Sequence, residues 1–364
     1  MLARPLRVCA VLVPISICAF GQPAAAAPAL VIESGSQRVL YAEDADRPWY
    51  PASLTKLMTA YLTFEAVKSG KLTWQTDIVV SARAVAQPPV KVGLRTGQKI
   101  RLSLAVQAMI VASANDLATV LAEVVAGGEP AFVAQMNSTA NRLGMTRSNF
   151  TNASGLPDID QTTSARDIAL LTEAILHDFP EQAPMFAAHD ARLGRVTITT
   201  VNGLLVSFDG ADGMKTGFTC AAGYNVVATA TRNGRKLIAV VLGERSRDAR
   251  SARAAALLEA AFKERAADAQ IDGADLVSMA FPTGNPAPPP PVDISKSVRS
   301  PACGKVAMVP RKRSAVRDVK SSQKGNAAVP AQIRPHTSMQ RQKSLQPRPI
   351  KGPETAPGIN TGWP

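Results

Sequence analysis

Histidine is scarce in this chain: His177, His189 and His336 are its three copies, far apart in sequence. A Ser-His-Asp mechanism would need one of them, and none has a suggestive setting. No Cys/His cluster has metal-ligand spacing, so neither a metal nor another cofactor is expected. Net charge is also missing where it would matter. The chain carries +13 overall, but residues 291–364 hold 14 Lys/Arg against 3 Asp/Glu, and Arg4 and Arg7 sit at the N-terminus, which leaves residues 8–290 neutral. A neutral body with a basic tail is no argument for nucleic-acid binding, and Arg311-Lys312-Arg313 reads as a solvated charge run. Internal repeats are absent.

The ends are distinct from the middle. Arg4 and Arg7 precede the apolar stretch Val8 to Phe20, which is too short to span a bilayer comfortably, and Ala24 to Ala27 supply small residues. This pattern predicts a secretory signal over 1–26, cut after Ala26, with an uncleaved anchor as the alternative. Ile17 before Cys18 argues against a lipoprotein signal. Export implies the periplasm, where disulfides persist. Two cysteines then remain, Cys220 and Cys303, either bridged or unrelated. From 267 to 364 the chain turns Pro-rich and basic, with few large apolar residues, and is expected to be disordered. Such a tail suits anionic envelope polymer or lipid.

Between the ends, 27–266 reads as one domain. Leu30–Glu33 and Arg38–Tyr41 flank a hairpin turn. Ser53–Lys68, Leu102–Val111, Asp116–Val125, Ala131–Leu143 and Ser164–His177 show helical spacing. Val196–Val201, Tyr224–Thr231 and Lys236–Leu242 read as strands, with Asn233-Gly234 turning the last two, and Ala249–Arg265 as a closing helix. The fold class expected is α/β (α+β): one antiparallel sheet built from both ends of the domain, flanked by helices, with a helical lobe inserted.

Three motifs follow in order: Ser53-Leu54-Thr55-Lys56, Ser113-Ala114-Asn115 and Lys215-Thr216-Gly217. They supply a nucleophile, a base and donors for acyl transfer without histidine. Ser53 falls at a predicted helix start, and Lys56 lies one turn deeper on the same face. Desolvation and a second cation, Lys215, would lower the Lys56 pKa and make it a general base. Ser113 can pass a proton to a leaving group, and the Asn115 amide can hold a carbonyl. Lys215 and Thr216 suit a carboxylate, and Gly217 leaves room for a substrate backbone. Ser53 and Ser113 could instead be plain helix caps. S-x-x-K alone is weak, since roughly one copy is expected by chance in a chain this long. Ser321-Ser322-Gln323-Lys324 is a second copy, in the tail and with no helix after it. Asp158 and Asp160 read as loop decoration.

Around the motifs the match extends to SLTKLMT (Ser53–Thr59), SANDL (Ser113–Leu117), LGMT (Leu143–Thr146), NASGL (Asn152–Leu156), SARD (Ser164–Asp167) and DGMKTGFTCAAGYN (Asp212–Asn225). On these residues the chain resembles the low-molecular-mass penicillin-binding proteins of the D-alanyl-D-alanine carboxypeptidase family, from about Leu30 to Phe262. The resemblance implies a DD-peptidase/β-lactamase-like fold. It implies that Ser53 attacks the penultimate D-Ala carbonyl of a peptidoglycan stem peptide, and that β-lactam antibiotics acylate the same serine. Lys56 would be base and Ser113 relay. Asn115, Lys215, Thr216 and Arg250 would bind substrate, and the N–H groups of Ser53 and Phe218 would form the oxyanion hole. Many relatives have histidine at the position of Phe218. Many also carry a C-terminal β-domain and an amphipathic membrane helix, which the residues after the body do not resemble, so membrane anchoring stays open. DD-endopeptidase activity is one alternative. A serine β-lactamase is another, disfavoured because no Glu-x-x-x-Asn element lies between Asn115 and Lys215.

Overall fold

The computed structural model describes residues 27–263, 276 and 290–304. The expected export signal, the second S-x-x-K copy and the basic chain beyond 304 lie outside the described residues.

Along the chain come strands β1 (Ala29–Glu33) and β2 (Val39–Glu43), a 3-10 turn at Ala52–Thr55 and helix α1 (Lys56–Lys68). A short pair, β3 (Asp77–Val79) and β4 (Lys99–Arg101), flanks α2 (Ala82–Val85). Helices α3 (Leu102–Ala112), α4 (Asn115–Ala126), α5 (Glu129–Arg142) and α6 (Ala165–Asp178) complete the middle. Then follow β5 (Asp190–Leu193), β6 (Val196–Thr199), α7 (Leu204–Ser207), β7 (Ala211–Thr219), β8 (Gly223–Arg232), β9 (Arg235–Glu244) and α8 (Arg247–Lys263).

One five-stranded antiparallel sheet, ordered β2-β1-β9-β8-β7, joins both ends of the domain as expected. Its inner strands are apolar at nearly every position because both faces are covered. Leu30, Ile32, Ile238, Val240 and Leu242 point into the core shared with α1, α3, α4 and α6. Their neighbours Ala29, Val31, Leu237, Ala239 and Val241 point the other way, onto Ala254 and Leu258 of α8. The two-residue period of a strand thus feeds two cores. β7 has a partner on one side only, and its other edge faces the 3-10 turn that carries Ser53.

Two local readings change. Val196 and its neighbours do not join the main sheet; they pair with β5 in a separate hairpin. Lys215-Thr216-Gly217 lies in the middle of β7. Ser53 is in the 3-10 turn, and the α-helix begins at Lys56. Gly155 packs against this turn. Its φ of +82° brings the backbone so close to Ala52 that a Cβ there would lie 1.8 Å from the Ala52 carbonyl oxygen. The crowded segment leaves Ala52 itself at φ +49°. Gly155→Ala should therefore cost about 3 kcal/mol through strain and overlap, read as a lowered Tm with slowed acylation of Ser53. A Tm and acylation rate matching wild type would refute this close packing.

The reading of everything after 266 as disordered also needs correction. The Leu276 side chain is buried, its N–H donates to Gln37 O (2.9 Å), and its carbonyl accepts from Arg166 Nε (3.1 Å). Residues 290–304 lie against the body, and Cys303 is bridged to Cys220 with Cα atoms 5.3 Å apart. A segment without its own core is held here by a few seated side chains and a covalent tie. Closing an 83-residue separation contributes roughly 4 kcal/mol on the chain-entropy account. Among the described residues no single helix is long and apolar enough to cross a membrane.

Candidate active site

The three motifs converge. Lys56 enters as the first residue of α1 and is buried, with 1% of its surface exposed. Its Nζ donates to Ser53 Oγ (3.2 Å), Asn115 Oδ1 (2.8 Å) and the Ser154 carbonyl (2.6 Å). Lys215, equally buried on β7, donates from Nζ to Ser113 Oγ (2.8 Å) and to the Thr216 carbonyl (2.8 Å). Gly217 lies against the nucleophile: a Cβ on it would sit 3.1 Å from Ser53 N. Any side chain there would push β7 off the turn, which is a closer constraint than room for a substrate alone. Phe218 follows, its ring stacked on Tyr224 at 4.2 Å between centroids.

The cap alternatives do not hold. Neither the 3-10 turn nor α1 has a side-chain cap bond, so Ser53 caps nothing. Ser113 ends α3 in the left-handed region, at φ +59°. That conformation is uncommon for serine and turns its hydroxyl to Lys215 rather than along α4. Asn115 opens α4, but its amide is engaged with Lys56 and with the Pro88 carbonyl (3.1 Å).

Burial, and secondarily the positive charge of Lys215, holds the Lys56 pKa well below the ordinary lysine value; Asp116 acts in the opposite sense. Burial, then Arg250, brings Lys215 down to about 7. Among the described residues no carboxylate hydrogen-bonds either ammonium. Both ammonium groups are therefore weakened as proton carriers, and Lys56 is biased toward its neutral form. Arg250, 3% exposed on α8, is lowered to about 10 by burial and by Arg247. Its Nε has no hydrogen-bond partner among the described residues. An unpartnered buried guanidinium donor is a natural receptor for an anion.

Several supports were not singled out as site residues from sequence. Asn152 Oδ1 accepts from the N–H groups of Ser154 (3.2 Å), Gly155 (2.7 Å) and Leu156 (3.1 Å), which aims the Ser154 carbonyl at Lys56. The NASGL string carried that signal. Asp116, next to Asn115, accepts from Val92 N–H (3.1 Å) and Gly93 N–H (3.3 Å) and so pins the 88–94 loop over the site. Asn225 clamps the nucleophile turn: Nδ2 donates to the Tyr50 (2.9 Å) and Pro51 (3.1 Å) carbonyls, and Oδ1 accepts from Gly243 N–H (2.9 Å).

Comparison with known proteins gives the family. A sequence model of the D-alanyl-D-alanine carboxypeptidases matches residues 19–246. The chain is 36% identical over 225 residues to D-alanyl-D-alanine carboxypeptidase DacC of Escherichia coli, covering 60% of this chain and 56% of that one. It is 35% identical over 242 residues to DacA of the same organism, covering 64% and 60%. The chain thus spans somewhat over half the length of these curated relatives. Penicillin binding protein 5 from Haemophilus influenzae superposes with a TM-score of 0.63 at 33% identity, over 66% of this chain and 72% of that one. Penicillin-Binding Protein D2 from Listeria monocytogenes, solved with ampicillin bound, superposes with a TM-score of 0.58 at 30% identity, over 67% and 99%. Motif order, the convergence of Ser53, Lys56, Ser113 and Lys215, and the sequence match across most of the body lead to one conclusion: this chain belongs to the D-alanyl-D-alanine carboxypeptidase family.

Proposed function

We propose that the chain is a serine-type D-Ala-D-Ala carboxypeptidase that trims the terminal D-Ala from peptidoglycan stem peptides. The observation that carries this is a fully buried lysine, biased toward the neutral form, whose Nζ lies 3.2 Å from Ser53 Oγ.

Neutral Lys56 takes the Ser53 proton as Oγ attacks the penultimate D-Ala carbonyl. Charge building on the carbonyl oxygen is met by the N–H groups of Ser53 and Phe218. Ser113, hydrogen-bonded to Lys215, relays to the departing D-Ala amine the proton that Lys56 took from Ser53, which leaves Lys56 neutral again. Water then releases the shortened peptide and restores Ser53. Lys215, Thr216 and Arg250 receive the terminal carboxylate, while Asn115 steadies Lys56 and the peptide amide. The same serine opens a β-lactam ring, as the ampicillin complex of the Listeria relative supports. Export to the periplasm is supported by the N-terminal pattern and by the disulfide. Contact of the basic tail with anionic envelope remains part of this proposal.

The test pairs fluorescent-penicillin labelling with D-Ala release from a stem pentapeptide. Both are expected. Label lost from Ser53 within seconds would favour a β-lactamase. Cleavage of cross-linked dimers with no D-Ala release would favour an endopeptidase.

A further inference from the structure

The turn joining β7 to β8, residues 219–223, is gripped from two sides. On the inner side, Ala221 and Ala222 form a small core with Tyr50 and Ala52, and Trp49 Nε1 donates to the Ala222 carbonyl (2.9 Å). Ala52 is the residue before Ser53. On the outer side lies the 290–304 segment. Ile294 N–H donates to the Ala221 carbonyl (3.1 Å), and its Cδ1 occupies the space beside Gly223, 2.5 Å from where a Cβ would stand. Arg299 N–H donates to the Arg245 carbonyl (2.9 Å), just past the end of β9. Cys303 completes the strap through its bond to Cys220.

Cys220 is two residues beyond Phe218. β7 is an edge strand, so the end that carries Phe218 has a ladder partner on β8 alone. The free edge must accept the acyl group. Lys215 and Thr216 precede Phe218 on this strand, so the acyl part of a substrate runs from Phe218 toward Thr219 and the bridge. The last turn of a hairpin edge is where fraying is easiest. It is also where a shift moves one of the two N–H donors on which the oxyanion depends.

Resting on the carboxypeptidase reading, we propose that the Cys220–Cys303 bridge is a positioning element of the active site. It holds the β7–β8 turn, and through it the Phe218 N–H, at the distance from Ser53 that acyl transfer requires, so the enzyme becomes fully competent only once the bridge has formed. Formation joins two thiols into one S–S bond. The two electrons and two protons go to a disulfide oxidant, which leaves as a dithiol. A dithiol reductant reverses the step. The strap thereby links catalysis to arrival in an oxidising compartment.

The experiment uses the full-length protein in three forms: bridged, reduced with dithiothreitol, and the Cys220→Ser/Cys303→Ser double variant. All are assayed at a temperature where circular dichroism shows each fully folded. Readouts are the second-order rate of acylation by a fluorescent penicillin, and kcat and KM for D-Ala release. The bridged form should acylate about tenfold faster than the other two. The loss in the peptide assay should fall mainly on kcat. Oxidised glutathione should restore the reduced wild type but not the double variant. Equal acylation rates in all three forms, with a difference in Tm alone, would overturn the proposal and leave the bridge a plain stabiliser. Acylation that follows the thiol state without any D-Ala release would sink the carboxypeptidase reading and keep this one. No acylation even when bridged would end both.

Discussion

Ser53→Ala abolishes penicillin labelling and D-Ala release together, by a factor on the order of 10^5, while the protein stays folded. Both halves follow from the geometry. The Ser53 hydroxyl donates to no cap; the hydrogen bond it makes among the described residues is with Lys56, at 3.2 Å. Removing it leaves Lys56 with the Asn115 and Ser154 oxygens, so no buried donor is orphaned. Stability should therefore change by less than about 0.5 kcal/mol, as at an ordinary site without a cap or packing role. Ser321→Ala, in the second S-x-x-K copy, should change neither activity. Mass spectrometry of the penicillin-treated enzyme checks the assignment: an adduct on any peptide other than the one holding Ser53 refutes it.

Lys56→Ala is expected to slow acylation by about 10^3, since the base is gone while the hydroxyl remains. Lys215→Arg should do much less, because a positive charge survives although its compact shape does not. The pH profile separates the two roles. Lys56 works when neutral, and burial beside Lys215 lowers its pKa, so the rate rises with pH as Lys56 loses its proton. Lys215 receives a carboxylate when protonated, and burial brings it to about 7. Its contribution is complete below that value and fades as pH rises through it. The profile for a peptide with a free carboxylate should be a bell, and Lys215→Arg should move the falling limb upward, since a guanidinium keeps its proton. Equal, complete loss in both variants, or an unmoved falling limb, would refute this division of labour.

Much of the site was legible in the chain itself because its chemistry is written in short strings. A serine three residues before a lysine puts both on one helical face, and an ordered set of three motifs restricts the reaction class. The apolar runs of β8 and β9 and the helical spacing of α3 and α6 likewise follow from local periods. Local patterns ended where contacts span long separations. Helical spacing placed Ser53 in an α-helix, but it lies in a 3-10 turn packed against Gly155, 102 residues away. Val196 has a strand's composition, but its partner is Ala191's hairpin rather than the sheet. Ser113 looked as much like a cap as a relay until its left-handed backbone turned the hydroxyl toward Lys215.

What the sequence determined alone is the order and spacing of the candidate reacting groups and the types of most elements that carry them, since both depend on neighbours within a turn or a strand. What the tertiary structure decided is their protonation and their support. Burial, and then Lys215 from 159 residues away, lowers the proton affinity of Lys56 only because one core holds both. A proline-rich segment, too poor in apolar residues to fold by itself, acquires a place because Ile294 finds the space over Gly223 and Cys303 comes within reach of Cys220. Composition predicts whether a segment can bury enough surface of its own; it does not report a surface already built elsewhere that will receive it.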